Sequence, residues 1–322
     1  MITQLSYKSK QFFIAIIKLS IIVGASYYIY NRLLQNENLD FSKFVSLLTK
    51  TDAFSTKNVF FLLILTFFNW FFEIIKWKCL VHSFKKISFR NALEQSLGGL
   101  TASLITPNRI GDYGAKAVYY PRNERKKIIF LNLLSNISQM GVTTLFGTIG
   151  LAIFYNKYNM NIDFKNVSRF LLILIIVGVF SFFGLKQSKF KIKGIGMEQL
   201  IAAIKNIPKK THRLNFIFSL LRYCIFSYQF YFLLLLFGVS MDFKTAIIAI
   251  SSMYFLASIV PSLAAFDVLI KTSAAVFLFG ILEVNELTIL SITTLMWLLN
   301  FIFPSFFGSY FVLNFKLPKF RD

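Results

Sequence analysis

Two short stretches of the sequence each carry a proline, an acid and, one helical turn after the acid, a lysine. These residues are Pro107, Asp112 and Lys116 in the first stretch and Pro261, Asp267 and Lys271 in the second. The acid and the lysine of each stretch share one helix face because they are four residues apart. An ionisable group inside a bilayer costs about 2.5–3.5 kcal/mol on insertion scales, which favours a functional role for these pairs. The alternative that each acid caps a half-helix and neutralises its lysine stays open.

Arg109 stands in the expected turn between Pro107 and Gly111, just before a half-helix begins. Free backbone N–H groups and the positive end of the helix dipole meet at such a position. An arginine there can bind a phosphate group in bidentate fashion. Glu73 and Lys76, one turn apart in an earlier apolar run, either line the same cavity or form a self-satisfied interfacial pair. The sequence therefore predicts a binding site for a phospholipid headgroup.

The composition indicates a polytopic membrane protein of the all-α class. The 322 residues are 56% hydrophobic and 15% charged, and several apolar runs approach the length that spans a bilayer. The formal net charge of +21 could suggest nucleic-acid binding, but the basic residues cluster in short segments between apolar runs. This pattern is typical of loops held on the cytoplasmic side of a membrane, so we expect no nucleic-acid partner.

Loop charge predicts six full transmembrane helices with both termini in the cytoplasm. These helices are expected at about 11–31, 58–78, 128–154, 169–185, 214–237 and 287–313. Segment 91–121 has strongly basic loops on both sides, and segment 245–282 has charge-poor flanks on both sides. Each segment is therefore expected to be a re-entrant helical hairpin that enters and leaves on one side. Eight plain transmembrane helices are the alternative.

The two hairpins recur at a near-constant offset with opposite orientation, which predicts an inverted repeat. Broken apolar segments at matching positions of two halves indicate the substrate site of a membrane transporter. We expect one integral membrane domain over 1–322. Its parts are a first span within 1–57, repeat A over 58–154, a connecting span and basic cytoplasmic segment over 155–213, repeat B over 214–313 and a cytoplasmic tail over 314–322.

Two runs carry a resemblance to a known family. The run from Phe72 to Leu80, which contains Lys-Trp-Lys, and the run Pro107-Asn-Arg-Ile-Gly-Asp112 resemble the membrane domain of lysylphosphatidylglycerol synthase/flippase proteins and their stand-alone relatives. The stretch from Pro261 to Lys271 looks like a second family motif, although Leu263-Ala-Ala-Phe266 stands where glycines are usual. The resemblance implies translocation of a lipid, such as an aminoacylated phosphatidylglycerol, between leaflets.

The leading hypothesis is a lipid flippase of the plasma (inner) membrane whose substrate-binding residues are Glu73, Lys76, Arg109, Asp112, Lys116, Asp267 and Lys271. A small-solute or ion secondary transporter is the first alternative, and an embedded lipid-modifying enzyme is the second. The sequence contains no metal-ligand motif, no nucleophile motif, no ATP-binding loop and no segment for a soluble aminoacyltransferase domain. We therefore expect no catalytic residue, metal or cofactor. The expected partners are membrane phospholipids with anionic headgroups, and a homodimer is left open.

Overall fold

The structure, a computed structural model, describes residues 55–104, 106, 110–158, 206–259 and 264–316, without the side chains of 264–269. Eight helices and no strand occupy these residues. They are α1 (Thr56–His82), α2 (Phe89–Leu104), α3 (Ile110–Ala117), α4 (Arg122–Tyr158), α5 (Lys209–Leu236), α6 (Phe243–Ile259), α7 (Ala264–Ile281) and α8 (Glu286–Asn314). The expected spans at 11–31 and 169–185 lie outside the described residues.

Four of the helices are long and apolar enough to cross a membrane, namely α1, α4, α5 and α8. They coincide with the predicted spans at 58–78, 128–154, 214–237 and 287–313. The prediction of an all-helical integral membrane protein is confirmed. A π-helical stretch at Leu298–Ile302 interrupts α8 near its middle, and such stretches are frequent at functional sites.

The helices α2 and α3 pack against each other and run antiparallel. The peptide nitrogen of Gly111 donates to the hydroxyl oxygen of Thr106 at 2.8 Å, which closes the connection between the two helices. A side chain at Gly111 would meet the carbonyl group of Ala102, and one at Gly99 would meet the carboxylate of Asp112. Moving away from the turn along one helix therefore means moving away from it along the other, as antiparallel helices require. The helix α3 ends at Ala117, earlier than the predicted limit of 121.

The loops that precede α2 and follow α3 lie together at one end of the molecule. The ammonium group of Lys85, in the loop before α2, lies 3.3 Å from the carboxylate of Glu124, in the first turn of α4. Close by, the ammonium group of Lys127 lies 3.9 Å from the ring centroid of Phe84. The two basic segments that flank α2 and α3 are thus joined by direct side-chain contacts.

Two glycine contacts hold the long helices against the short ones. A side chain at Gly147 on α4 would meet Ser251 and Phe255 of α6, and one at Gly308 on α8 would overlap Leu97 and Thr101 of α2. Small residues at such positions let two helix backbones approach closely, which is a common way of packing helices in membranes.

Candidate functional site

A cavity of about 470 Å³ lies at the centre of the described helices. All eight helices contribute at least one residue to its wall. Three cations and two carboxylates line it among the described side chains, and they are Lys116, Arg222, Lys271, Glu73 and Asp112. Charged groups in the interior of a membrane protein are costly unless they are paired or have a role, so this concentration identifies the candidate site.

The carboxylate of Glu73 on α1 lies between two cations. It accepts from the ammonium group of Lys76 at 2.8 Å and from the guanidinium of Arg222 on α5. Lys76 is only 1% exposed and does not line the cavity, whereas the side chain of Arg222 is 19% exposed. Glu73 therefore faces a buried cation on one side and a cation of the cavity wall on the other.

The guanidinium of Arg222 also donates to polar groups of two other helices. Its Nε atom lies 3.1 Å from the side-chain oxygen of Asn69 on α1, and its Nη1 atom lies 3.3 Å from that of Gln139 on α4. These contacts fix the position of the planar guanidinium within the cavity. A fixed fork of donors suits a planar or tetrahedral oxyanion.

A second ion pair, between Asp112 and Lys116 of α3, forms another part of the wall. The ammonium group of Lys116 lies 3.1 Å from the carboxylate of Asp112 and donates to the side-chain oxygen of Asn132 at 2.8 Å. The amide of Asn132 donates to Asp112 at 2.7 Å, which closes a three-membered network. Lys116 also lies 4.5 Å from the ring centroid of Trp77. The four-residue spacing placed this pair on one helix face, and its partner Asn132 comes from α4.

The part of the wall around Lys271 of α7 is more apolar than the part around the ion pairs. Its ammonium group lies 5.5 Å from the ring centroid of Phe301. A small recess of about 30 Å³ continues from this region between apolar side chains of α5, α6 and α8. Tyr254 borders both the cavity and the recess. The cavity thus combines a charged region with an apolar one.

A chain of buried amides connects the charged region to the π-helical stretch of α8. The side chain of Asn300 accepts from Asn69 at 2.8 Å and donates to Gln229 at 2.8 Å. Gln229 in turn donates to the hydroxyl of Thr66 at 3.0 Å. The chain ties α1, α5 and α8 together, because each helix supplies at least one member.

Substituting Asn300 with leucine is expected to lower the free energy of unfolding by about 1–3 kcal/mol, because Asn69 and Gln229 each lose a buried partner. Unfolding in mixed micelles measures the change. Leu299→Ala, which shortens an apolar neighbour in the same π-helical stretch, provides the comparison for a loss of packing alone. If Asn300→Leu left the stability unchanged, this amide chain would not stabilise the helix contacts.

The structure brings together four of the residues that the sequence singled out. Glu73, Asp112, Lys116 and Lys271 line one cavity, and Lys76 lies behind Glu73. Gly111 is at the start of α3, against α2. The backbone of Asp267 belongs to α7, but its side chain lies outside the described residues, as do Arg109, Pro107 and Pro261.

Sequence reasoning missed Arg222, Asn300 and Asn69. A signal for Arg222 was present, since it is a lone charged residue deep in the predicted span at 214–237, and such residues are rarely without function. Within the described parts of the chain, no group of three or more His, Cys, Asp or Glu residues could hold a metal ion.

Residues 15–308 match the sequence model of the family described as "Lysylphosphatidylglycerol synthase TM region". The match includes every residue of the cavity wall. The comparison with curated proteins gives no match.

Proposed function

Because the chain belongs to the lysylphosphatidylglycerol synthase TM region family, we propose that it is a lipid transporter that moves a phospholipid or related anionic lipid between leaflets. The central cavity would hold the headgroup during this movement. The observation that carries the proposal is the group of five charged side chains that line this single cavity among apolar helices. A bilayer-spanning chain has little reason to bury such groups unless they meet a polar ligand.

The size and the chemistry of the cavity support a lipid headgroup as the ligand. Its volume of about 470 Å³ lies within the range of small-molecule sites, about 300–1,000 Å³. The charged region offers donors to phosphate oxygens, and the apolar recess beside Lys271 offers a surface for acyl or glycerol carbons. The proposed ligand-binding residues are Arg109, Asp112, Lys116, Asp267 and Lys271. Glu73 and Lys76, which the sequence grouped with them, would balance the charge of the wall, because Lys76 lies behind Glu73 and outside the cavity.

The lengths of α2 and α3 support a re-entrant hairpin over plain crossings. With 16 and 8 residues, they extend about 24 Å and about 12 Å at 1.5 Å per residue. A plain crossing needs about 20 residues for a hydrocarbon core of about 30 Å. The contact between Lys85 and Glu124 places both flanking loops at one end, as a re-entrant path from the cytoplasmic side requires.

Two similar lines of support concern α6 and α7. Lys157, in the last turn of α4, donates to the hydroxyl of Thr245, in the first turn of α6, at 3.1 Å. Leu236 and Phe237, which precede α6, belong to one apolar cluster with Leu290, which follows α7. The entry to α6 therefore lies where α4 ends, and apolar residues on both sides of α6 and α7 pack against one cluster. Both observations support a second hairpin from the outer side.

The glycine contacts support the inverted repeat. Gly147 on α4 of repeat A lies against Ser251 on α6 of repeat B, and Gly308 on α8 of repeat B lies against Leu97 on α2 of repeat A. Leu97 and Ser251 occupy matching positions, since the offset between them is the one that relates Pro107 to Pro261. The last helix of repeat A, α4, thus packs on the first hairpin helix of repeat B, α6. In the same way, the last helix of repeat B, α8, packs on the first hairpin helix of repeat A, α2.

A leaflet-exchange assay with the full chain in vesicles tests the proposal, with a panel of labelled lipids that differ in headgroup. We expect Asp112→Asn and Arg109→Ala to reduce exchange at least about tenfold, the effect of losing one charge-assisted contact. The matched controls are Glu286→Gln and Arg90→Gln, which change exposed residues outside the cavity. Movement of a water-soluble substrate without any lipid movement would instead favour a solute transporter.

A further inference from the structure

Arg222 differs from the two lysines of the cavity wall, because its own helix contains no Asp or Glu residue. Lys76 and Lys116 each follow a carboxylate by one turn, and the sequence places Asp267 one turn before Lys271. Helix α5, by contrast, contains no Asp or Glu over its whole length. The positive charge of Arg222 is therefore not balanced within its own helix, and Glu73, which it contacts, already has Lys76 as a helical partner.

From this arrangement we infer that Arg222 is an anion-binding residue whose guanidinium exchanges the Glu73 carboxylate for the phosphate group of an entering ligand. The inference rests on the proposed transport function and adds the recognition step. The Glu73 carboxylate, which contacts Arg222 in the structure, takes the position that a phosphate oxygen takes in the bound state. After the exchange, Glu73 keeps Lys76 as its counter-ion, so no carboxylate is left without a cation.

The geometry allows this exchange without rearranging the guanidinium. Contacts to Asn69 and Gln139 hold Arg222 from two other helices, and the cavity opens beside it. Arginine pairs with phosphate and with carboxylate through the same planar fork, so one anion can replace the other.

Two buried hydroxyl groups of the same cavity wall supply further donors for a phosphate. Ser96 and Tyr254 line the cavity, and their hydroxyls have no hydrogen-bond partner among the described residues. Both residues are more than nine-tenths buried, with 3% and 8% of their surface exposed. The ring of Tyr254 packs against that of Tyr223, the residue after Arg222. Buried hydroxyls are normally satisfied, so two unpartnered ones in this wall point to a polar ligand.

The test measures ligand-induced thermal stabilisation of the full chain in a neutral detergent, which reports binding by mass action. The probes are dihexanoyl phosphatidylglycerol, dihexanoylglycerol without a phosphate group, and inorganic phosphate, all at one ionic strength set with sodium chloride. We expect stabilisation by the phosphate-containing lipid and none by dihexanoylglycerol. Equal stabilisation by inorganic phosphate would identify free phosphate as the source of the same chemistry.

The variants separate anion binding from a structural role. Arg222→Gln is expected to weaken binding of the phosphate probe at least about tenfold, and Arg222→Lys less, because lysine keeps the charge without the fork. Arg213→Gln changes an exposed arginine on the same helix and should bind like the unchanged chain. Glu73→Gln is expected to strengthen binding several-fold, because the competing carboxylate is gone. A purely structural pair would instead lose binding in both variants.

Folding is controlled by the paired variant Glu73→Gln/Lys76→Met, which removes the internal ion pair and leaves Arg222 in place. It is also expected to bind phosphate more tightly than the unchanged chain. Binding unaffected by Arg222→Gln, or weakened by the removal of Glu73 in a folded variant, would overturn the inference. The transport proposal fails separately, if the unchanged chain binds the phosphate probe but exchanges no lipid between leaflets.

Discussion

Replacing Glu73 with alanine is expected to lower the free energy of unfolding by about 3–5 kcal/mol, the usual effect of removing one member of a buried ion pair. The carboxylate is in contact with both Lys76 and Arg222. Without it, two cations face each other across an apolar interior, and Lys76 is too deeply buried to reach water. Unfolding in mixed micelles, followed by circular dichroism, measures the loss.

The double variant Glu73→Ala/Lys76→Met is the control for this effect. It removes both members of the helix-internal pair, so it should recover at least half of the stability that the single variant loses. Glu94→Ala provides a surface comparison, because its partner Arg90 has a side chain that is 83% exposed, and exposed pairs contribute about 1 kcal/mol or less. If Glu73→Ala were as stable as Glu73→Ala/Lys76→Met, the unpaired buried charge of Lys76 would not be the cause of the lost stability.

Replacing Gly308 with alanine is expected to separate α8 from α2 and to lower the free energy of unfolding by about 3 kcal/mol, the upper end for overpacking. The added methyl group would overlap the carbonyl oxygen of Leu97 and the hydroxyl of Thr101. A backbone carbonyl within a helix cannot rotate away, so the helices themselves must move. Gly147→Ala should act in the same direction at the contact between α4 and α6.

Two glycines of the same chain serve as matched controls. Gly141 on α4 and Gly280 on α7 have open space where a side chain would begin. Alanine at either position should not lower the stability, and its higher helix propensity is expected to raise it by up to about 1 kcal/mol. If Gly308→Ala and Gly141→Ala behaved alike, the close approach of α8 and α2 would not matter for folding.

The sequence was sufficient for the membrane class, the family and four long helices. Hydropathy depends on the chain's local composition, and the length of an apolar run must match the thickness of the bilayer, so both can be read without a structure. The runs at 58–78 and 214–237 therefore gave helices α1 and α5 within a few residues.

Side-chain pairs within one helix were also accessible from the sequence. The spacing of Asp112 and Lys116 fixes their separation on a helix face, and the structure has them 3.1 Å apart. The spacing of Glu73 and Lys76 did the same, with a distance of 2.8 Å. Such contacts follow from the 3.6-residue period of the helix alone. The spacing of the two residues in the sequence did not predict that Lys76 would lie behind Glu73 and outside the cavity wall.

Only the tertiary structure decided which helices meet at the cavity. Arg222 finds its partner Glu73 on a helix far earlier in the chain, and Asn300 finds Asn69 in the same way. No local period encodes such contacts, because they depend on how the helices pack. The sequence alone thus determined what each segment is and which of its own residues share a face. Packing determined which charges of different segments come together, since backbone approach at residues such as Gly308 sets those distances.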